Sequence, residues 1–297
     1  MPEGFHHYSY RRHRASYTIE PGRPLSHFRE WYLKDNADFW RHRRKHELIG
    51  PLFDLDKNSA WLCIGDGRYG TSAMYLKWKG VTATAADITG ELLEKSLEEK
   101  LIDSMDVQNA EQMTYPDESF DYVFCKESYH HFPRPAVALY EMIRVARKAV
   151  VLIEPRDTRK GTMATRNIRL AKNIVKRILG RPVTHPDSYA YEQIGNYIYT
   201  MSESELEKAA LGLNLAGVAF LPFDDVYYKG VEEERESMQE PLYRKMRKEL
   251  KRLKLLNALG LHADNFLAAI IFKTTPDPQV IAGLKKKGFR YRELPRN

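Results

Sequence analysis

A chain of 297 residues that is 43% hydrophobic, 29% charged and 11% aromatic can bury a sizeable core, which excludes wholesale disorder and suits one main domain with additions. Its apolar runs, such as residues 149 to 153 and 266 to 272, fall far short of the roughly 20 residues a bilayer span requires. The 47 Lys and Arg exceed the 40 Asp and Glu to give +7, yet the charge is segregated: residues 87 to 155 carry 14 acidic against 7 basic groups, whereas 156 to 185 carry 9 basic against 1 acidic.

The first 17 residues mix His, Tyr and Arg without the apolar centre of a secretory signal. Cys63 and Cys125 sit inside apolar runs that suit reduced, buried thiols. Both features point to a cytoplasmic protein without disulfides.

In chain order, residues 1 to 24 read as an arm closed by Pro21-Gly22-Arg23-Pro24. Ser26 can cap a helix to about residue 49, with an aromatic side made by Phe28, Trp31, Tyr32, Phe39 and Trp40, and Gly50-Pro51 stops it. The pattern then alternates: strand 60–64, helix 71–79, strand 81–86, helix 91–100, strand 120–125, helix 135–148, strand 149–154. Such alternation specifies an α/β fold with a parallel sheet. Residues 156 to 200 read as an insertion with a basic amphipathic helix at 163–179, in which Ile168, Ala171, Val175 and Ile178 oppose Arg166, Arg169, Lys172 and Lys176. Pro182 and Pro186 mark a loop after it. Ser202-Glu203-Ser204-Glu205 forms a capping box for a helix to about 213, followed by a strand at 216–220, a charged helix at 232–256 and a last apolar strand at 265–273. The expected organisation is an arm and cap helix over 1–54, a catalytic domain over 55–275 and a basic tail over 276–297.

The chemistry concentrates where the first strand runs into Gly65-Asp66-Gly67-Arg68-Tyr69-Gly70 and a helix, since glycines let backbone approach a ligand. Asp87, with Ile88 beside it, ends the second strand, where a carboxylate can accept both hydroxyls of a ribose. Two nucleoside ligands fit this pattern. A dinucleotide lays its pyrophosphate on the helix amino terminus, which Asp66 would oppose; S-adenosylmethionine brings a cationic sulfonium, which Asp66 and Glu127 would assist. The alternatives are therefore an NAD-dependent oxidoreductase and a non-catalytic nucleoside-binding module.

On these residues, together with Asn109-Ala110-Glu111-Gln112-Met113, the stretch from Tyr115 to Phe124, Tyr129-His130-His131-Phe132 and Glu141-Met142-Ile143-Arg144-Val145, the chain resembles the class I S-adenosylmethionine-dependent methyltransferases, especially the group acting on small molecules. The resemblance implies a Rossmann-like sheet of seven strands with an antiparallel last strand. It places Gly65, Asp66, Gly67, Gly70, Asp87, Ile88, Asn109, Ala110, Glu111 and Lys126 around the cofactor, with Asn109 at the adenine amino group and the Ala110 amide near a ring nitrogen. Two departures stand out: the family has an acid where this chain has Cys63, and its glycine loop is one residue shorter than Gly65 to Gly70.

For transfer to a hydroxyl, a base is needed, and His130, His131 and Glu127 lie just beyond the fourth strand, where α/β sheets bind ligands. His130 is the better candidate, since the family pattern packs His131 under the cofactor. The expected acceptor is a small molecule or glycan, methylated on oxygen ahead of nitrogen. The basic helix reads first as a lid that packs its apolar stripe over the acceptor pocket; a phosphate-bearing acceptor, such as a nucleotide sugar or a lipid-linked glycan at a membrane surface, also suits this helix and the basic tail, and RNA ranks third. No metal site is expected: His6-His7 lie in the arm, His42 and His46 read as a solvated helix face, and Asp224-Asp225 as a turn.

Overall fold

The computed structural model describes residues 4–16, 35–158, 163–180, 191 and 197–296. Phe28, Trp31 and Tyr32, the Ser26 cap, and the loop with Pro182 and Pro186 lie outside these residues. So do the side chains of Arg166, Ile168 and Arg169.

Helix α1 (Phe5–Ser16) comes first, then α2 (Ala37–Leu48), α3 (Gly50–Asp54), β1 (Ala60–Ile64), α4 (Thr71–Trp78), β2 (Thr82–Asp87), α5 (Glu91–Glu98) and β3 (Ser104–Val107). There follow β4 (Phe120–Lys126), α6 (Pro135–Val145), β5 (Ala146–Pro155), α7 (Met163–Ile178), α8 (Glu203–Gly212), β6 (Gly217–Phe223), α9 (Pro241–Ala258), β7 (Phe266–Phe272), α10 (Pro278–Lys287) and β8 (Arg290–Glu293). The described part of α2 starts at Ala37, where the Asn36 side chain accepts from the Asp38 and Phe39 amides at 2.8 and 3.2 Å. Pro51 opens α3 at a position where its missing N–H costs nothing.

One eight-stranded sheet has the order β3-β2-β1-β4-β5-β7-β6-β8. Strands β1 to β5 are parallel, β7 runs antiparallel to both β5 and β6, and β8 is antiparallel to β6. Alternate residues of the central strands feed opposite core layers. Trp61, Cys63, Phe124 and Val151 pack with α3, α4 and α10 on one face, and Leu62, Ile64, Val123, Cys125 and Leu152 with α6 and α8 on the other. Cover on both faces explains why these strands read as unbroken apolar runs.

The sheet thus contains the seven expected strands and one more. The segment expected as a tail folds as α10 and β8, anchored by buried Leu284, Phe289 and Leu294. Its charged run hid the strand, because an edge strand such as Arg290–Glu293 keeps its polar side chains in water. The half-exposed β3 was missed for the same reason. The helix expected from residue 232 begins at Pro241, with only one short turn at Val231–Glu233 before it.

Candidate active site

The strand order reverses between β1 and β4, so their carboxyl ends open a crevice at this switch point. Gly65 and Gly70 both have left-handed backbone, with φ of +73° and +64°. At Gly67 space is the constraint: a Cβ would lie 2.5 Å from the Asp87 carboxyl carbon. The Gly67 amide instead donates to Asp87 Oδ2 at 3.1 Å, while Thr89 donates through N–H and Oγ to Asp87 Oδ1, each at 3.2 Å. Asp87 is therefore fixed at the rim of the glycine loop, with Ile88 half-buried next to it. Burial raises its pKa against the pull of the Thr89 and Gly67 hydrogen bonds.

Asp66 turns away from its expected role. Its carboxylate accepts from the Ser72 amide at 3.1 Å and the Ala73 amide at 3.0 Å, capping α4. Burial raises its pKa to about 6, with those two amides opposing the shift. The helix amino terminus that would receive a pyrophosphate is already occupied by a carboxylate, which removes the main anchor of a dinucleotide.

At the other end of the crevice, Asn109 Oδ1 accepts from the Glu111 amide at 3.0 Å and fixes the loop after β3. Ala110 is buried in the core layer beneath. Glu111, expected at the cofactor, is buried and spoken for: its oxygens accept from the Arg134 amide at 2.8 Å, Arg134 Nε at 2.5 Å and the Tyr10 hydroxyl at 2.6 Å. Tyr10 belongs to α1, so residues 5–16 of the segment expected as an arm form a helix lying on the crevice. Between α1 and Asn109 is a cleft of about 440 Å³ lined by His6, Tyr10, Gln112 and Arg134 among others.

The three candidate bases separate clearly. His130 Nδ1 lies 2.6 Å from Oε2 of Glu154, a fully buried residue near the end of β5. Glu154 Oε1 accepts from the Ser128 and Tyr129 amides at 2.8 and 2.9 Å, so it cannot swing away. A carboxylate on Nδ1 assigns the imidazole proton to that nitrogen and leaves the Nε2 lone pair to accept one. His131 packs edge-on against His13 of α1, with centroids 6.0 Å apart. Burial, with His130 and His13 adding to it, lowers its pKa to about 3, which makes it a poor base. Glu127 has φ +56° at the end of β4 and is bound by Lys45 at 2.7 Å and Lys126 at 3.0 Å. Burial alone would raise its pKa, but Lys126, Lys45 and His42 hold it well below the usual carboxylate range. It is a structural anion, not a base or a free partner for a sulfonium.

Sequence reasoning missed Glu154, although an acid closing an apolar strand is a readable signal. It also misplaced the α2 face. His46 is buried, stacked on Tyr75 at 4.6 Å and 3.2 Å from Ser72 Oγ. His42 meets Lys126 Nζ at 3.1 Å, and burial, Lys126 and Arg41 lower its pKa to about 4. Asp225 pairs with Lys45 at 2.8 Å and with Arg41, so it serves as the counter-ion of α2. Arginines around a histidine pair suggested a wet surface because their carboxylate partners are about 80 and 180 residues away in sequence. Among the described residues no group of three His, Cys, Asp or Glu could hold a metal ion.

A parallel sheet with this strand order, a glycine turn packed on a terminal acid of β2 and a capped α4 define a class I, S-adenosylmethionine-dependent methyltransferase domain. In agreement, residues 62–153 match the family described as Methyltransferase domain. No curated protein matches the chain. Among solved structures, the [4+2]-cyclase SpnF is 12% identical with a TM-score of 0.50, over 78% of this chain and 81% of that one. A SAM-dependent methyltransferase from Archaeoglobus fulgidus is 16% identical with a TM-score of 0.48, over 78% and 94%. The YcgJ protein from Bacillus subtilis is 18% identical with a TM-score of 0.45, over 78% and 100%. The likeness to SpnF shows a shared fold alone.

Proposed function

We propose that the protein methylates an oxygen, with nitrogen as second choice, on a small or glycan-type acceptor bearing an anionic group such as a phosphate. S-adenosylmethionine, when bound, supplies an electrophilic methyl group. Asp87 would hold its ribose, Gly67 would let the backbone approach it, and Asn109 and Ala110 would flank the adenine. The observation that carries the reading is the His130–Glu154 pair at the carboxyl ends of β4 and β5. His130 Nε2 takes the acceptor's proton, and Glu154 stabilises the imidazolium that results. Such a base typically contributes about 10²- to 10⁴-fold.

The anionic preference is supported by the basic segment that follows β5, where residues 156 to 185 carry 9 basic groups against 1 acidic. Strand β8, by contrast, lies at the far edge of the sheet, and its Arg290 and Arg292 pair with Glu203 and Glu207, so the charges of this strand belong to another face.

The test is incubation of a metabolite extract with methyl-labelled cofactor, followed by identification of the labelled product. A small, phosphatase-sensitive product whose formation drops at least 100-fold with His130→Ala, and similarly with Glu154→Gln, is expected. Label in RNA or protein would reject the acceptor class, and unchanged rates in both variants would remove the histidine from the reaction.

A further inference from the structure

Helix α7 leaves β5 eight residues beyond Pro155 and none of its described residues enters a core cluster. Leu170, Ile174, Val175, Ile178 and the following Leu179 are each more than half exposed. At about 100° per residue these five, with Ala171, span one half of the helix circumference. Lys172 and Arg177 fall just outside the two borders of that half, both exposed. Across Met163–Ile178 the sequence has five basic residues and no acidic one.

Folded proteins seldom leave five large aliphatic side chains together in water, because removing apolar surface from water is favourable. Something of matching shape and charge must cover them. We propose that α7 is an interfacial helix that docks the protein on an anionic lipid bilayer. Its aliphatic half enters the headgroup and acyl boundary, while Lys172 and Arg177 reach outward to lipid phosphates as their stems stay apolar. The charge distribution favours this occupant over a second copy of the chain, since two such helices bring only like charges to their borders. Nucleic acid would be drawn to the basic side but gains nothing from Ile174 and Ile178. The helix is too short and too charged to span a membrane, and no described helix is long and apolar enough to do so.

The experiment is co-sedimentation of the full chain with vesicles of pure phosphatidylcholine and of phosphatidylcholine containing one third phosphatidylglycerol, at low and high salt. Binding to the anionic vesicles is expected, weakened by salt and weaker on neutral ones. A basic residue near such a surface contributes about fivefold, so Lys172→Gln with Arg177→Gln should weaken binding about 25-fold. Ile174→Glu with Ile178→Glu should abolish it, and because both positions are exposed the thermal transition should stay within a few degrees of wild type. No binding to anionic vesicles at low salt would overturn the proposal. So would binding that survives the double glutamate variant, or a concentration-dependent dimer that the same variant dissociates. Vesicle binding is read without methyl transfer, so the result is independent of the acceptor.

Discussion

Replacing Gly67 by alanine tests the cofactor crevice most directly. The new Cβ would stand 2.5 Å from the Asp87 carboxyl carbon and 2.6 and 2.8 Å from its oxygens, whereas ordinary contacts begin near 3.4 Å. The carboxylate must retreat by about an ångström, and its bonds to Thr89 at 3.2 Å resist that movement. The bond from the Gly67 amide is lost in the process. If Asp87 accepts both ribose hydroxyls, two hydrogen bonds to a charged acceptor are displaced, each worth about 1.5 to 3 kcal/mol. The dissociation constant for S-adenosylhomocysteine should then rise by about 10²- to 10⁴-fold, since 1.4 kcal/mol is a factor of ten. Titration calorimetry measures it, with circular dichroism showing that the fold persists. Asp87→Ala should weaken binding comparably, and Gly67→Ala should add little in that background because both act through one carboxylate. Affinity within threefold of wild type for Gly67→Ala, or effects that add in full, would refute the assignment of Asp87 to the ribose.

Two further outcomes follow from the buried charges. The Asp66 carboxyl binds its proton more tightly folded than unfolded, its pKa rising from 3.8 to about 6 through burial. The stability linked to that proton is complete below pH 3.8 and is lost as pH rises to 6, a difference of about 3 kcal/mol at 1.36 kcal/mol per unit. Asp66→Asn keeps an oxygen for the α4 amides without the charge, so denaturant titrations should show the variant gaining on wild type between pH 4 and pH 7. A constant difference over that range would show that burial does not govern Asp66. For Lys45, which is buried between Glu127 at 2.7 Å and Asp225 at 2.8 Å, substitution by methionine leaves two carboxylates short of a cation. Breaking a buried pair in this way costs about 3 to 5 kcal/mol. Less than 1 kcal/mol by urea unfolding at pH 7 would mean that the α2 network contributes little beyond packing.

How much of this was legible in the sequence depends on how far apart the interacting residues lie. Helices and central strands follow from short-range patterns, so β1, β2, β4, β5 and β7 stood close to where periodicity and glycine placed them. Edge strands β3 and β8 carry polar residues on their open sides and leave no such pattern. His130 could be singled out because it follows a strand end. Its partner Glu154 is 24 residues further on and meets it only because β5 lies beside β4 in register.

The sequence alone settled the α/β class and the nucleoside crevice, since both rest on contacts between near neighbours: alternating elements, glycines that avoid a Cβ, an acid one βα unit later. Tertiary structure alone decided what each charge does. Asp66 became a helix cap, Glu127 and Asp225 became counter-ions to α2, Glu111 was tied to Arg134, and His130 met a carboxylate on the nitrogen that leaves the other facing away from it. A charged group's role is fixed by whichever opposite charge folding brings within about 4 Å, and in a low-dielectric crevice that neighbour outweighs anything adjacent in the chain.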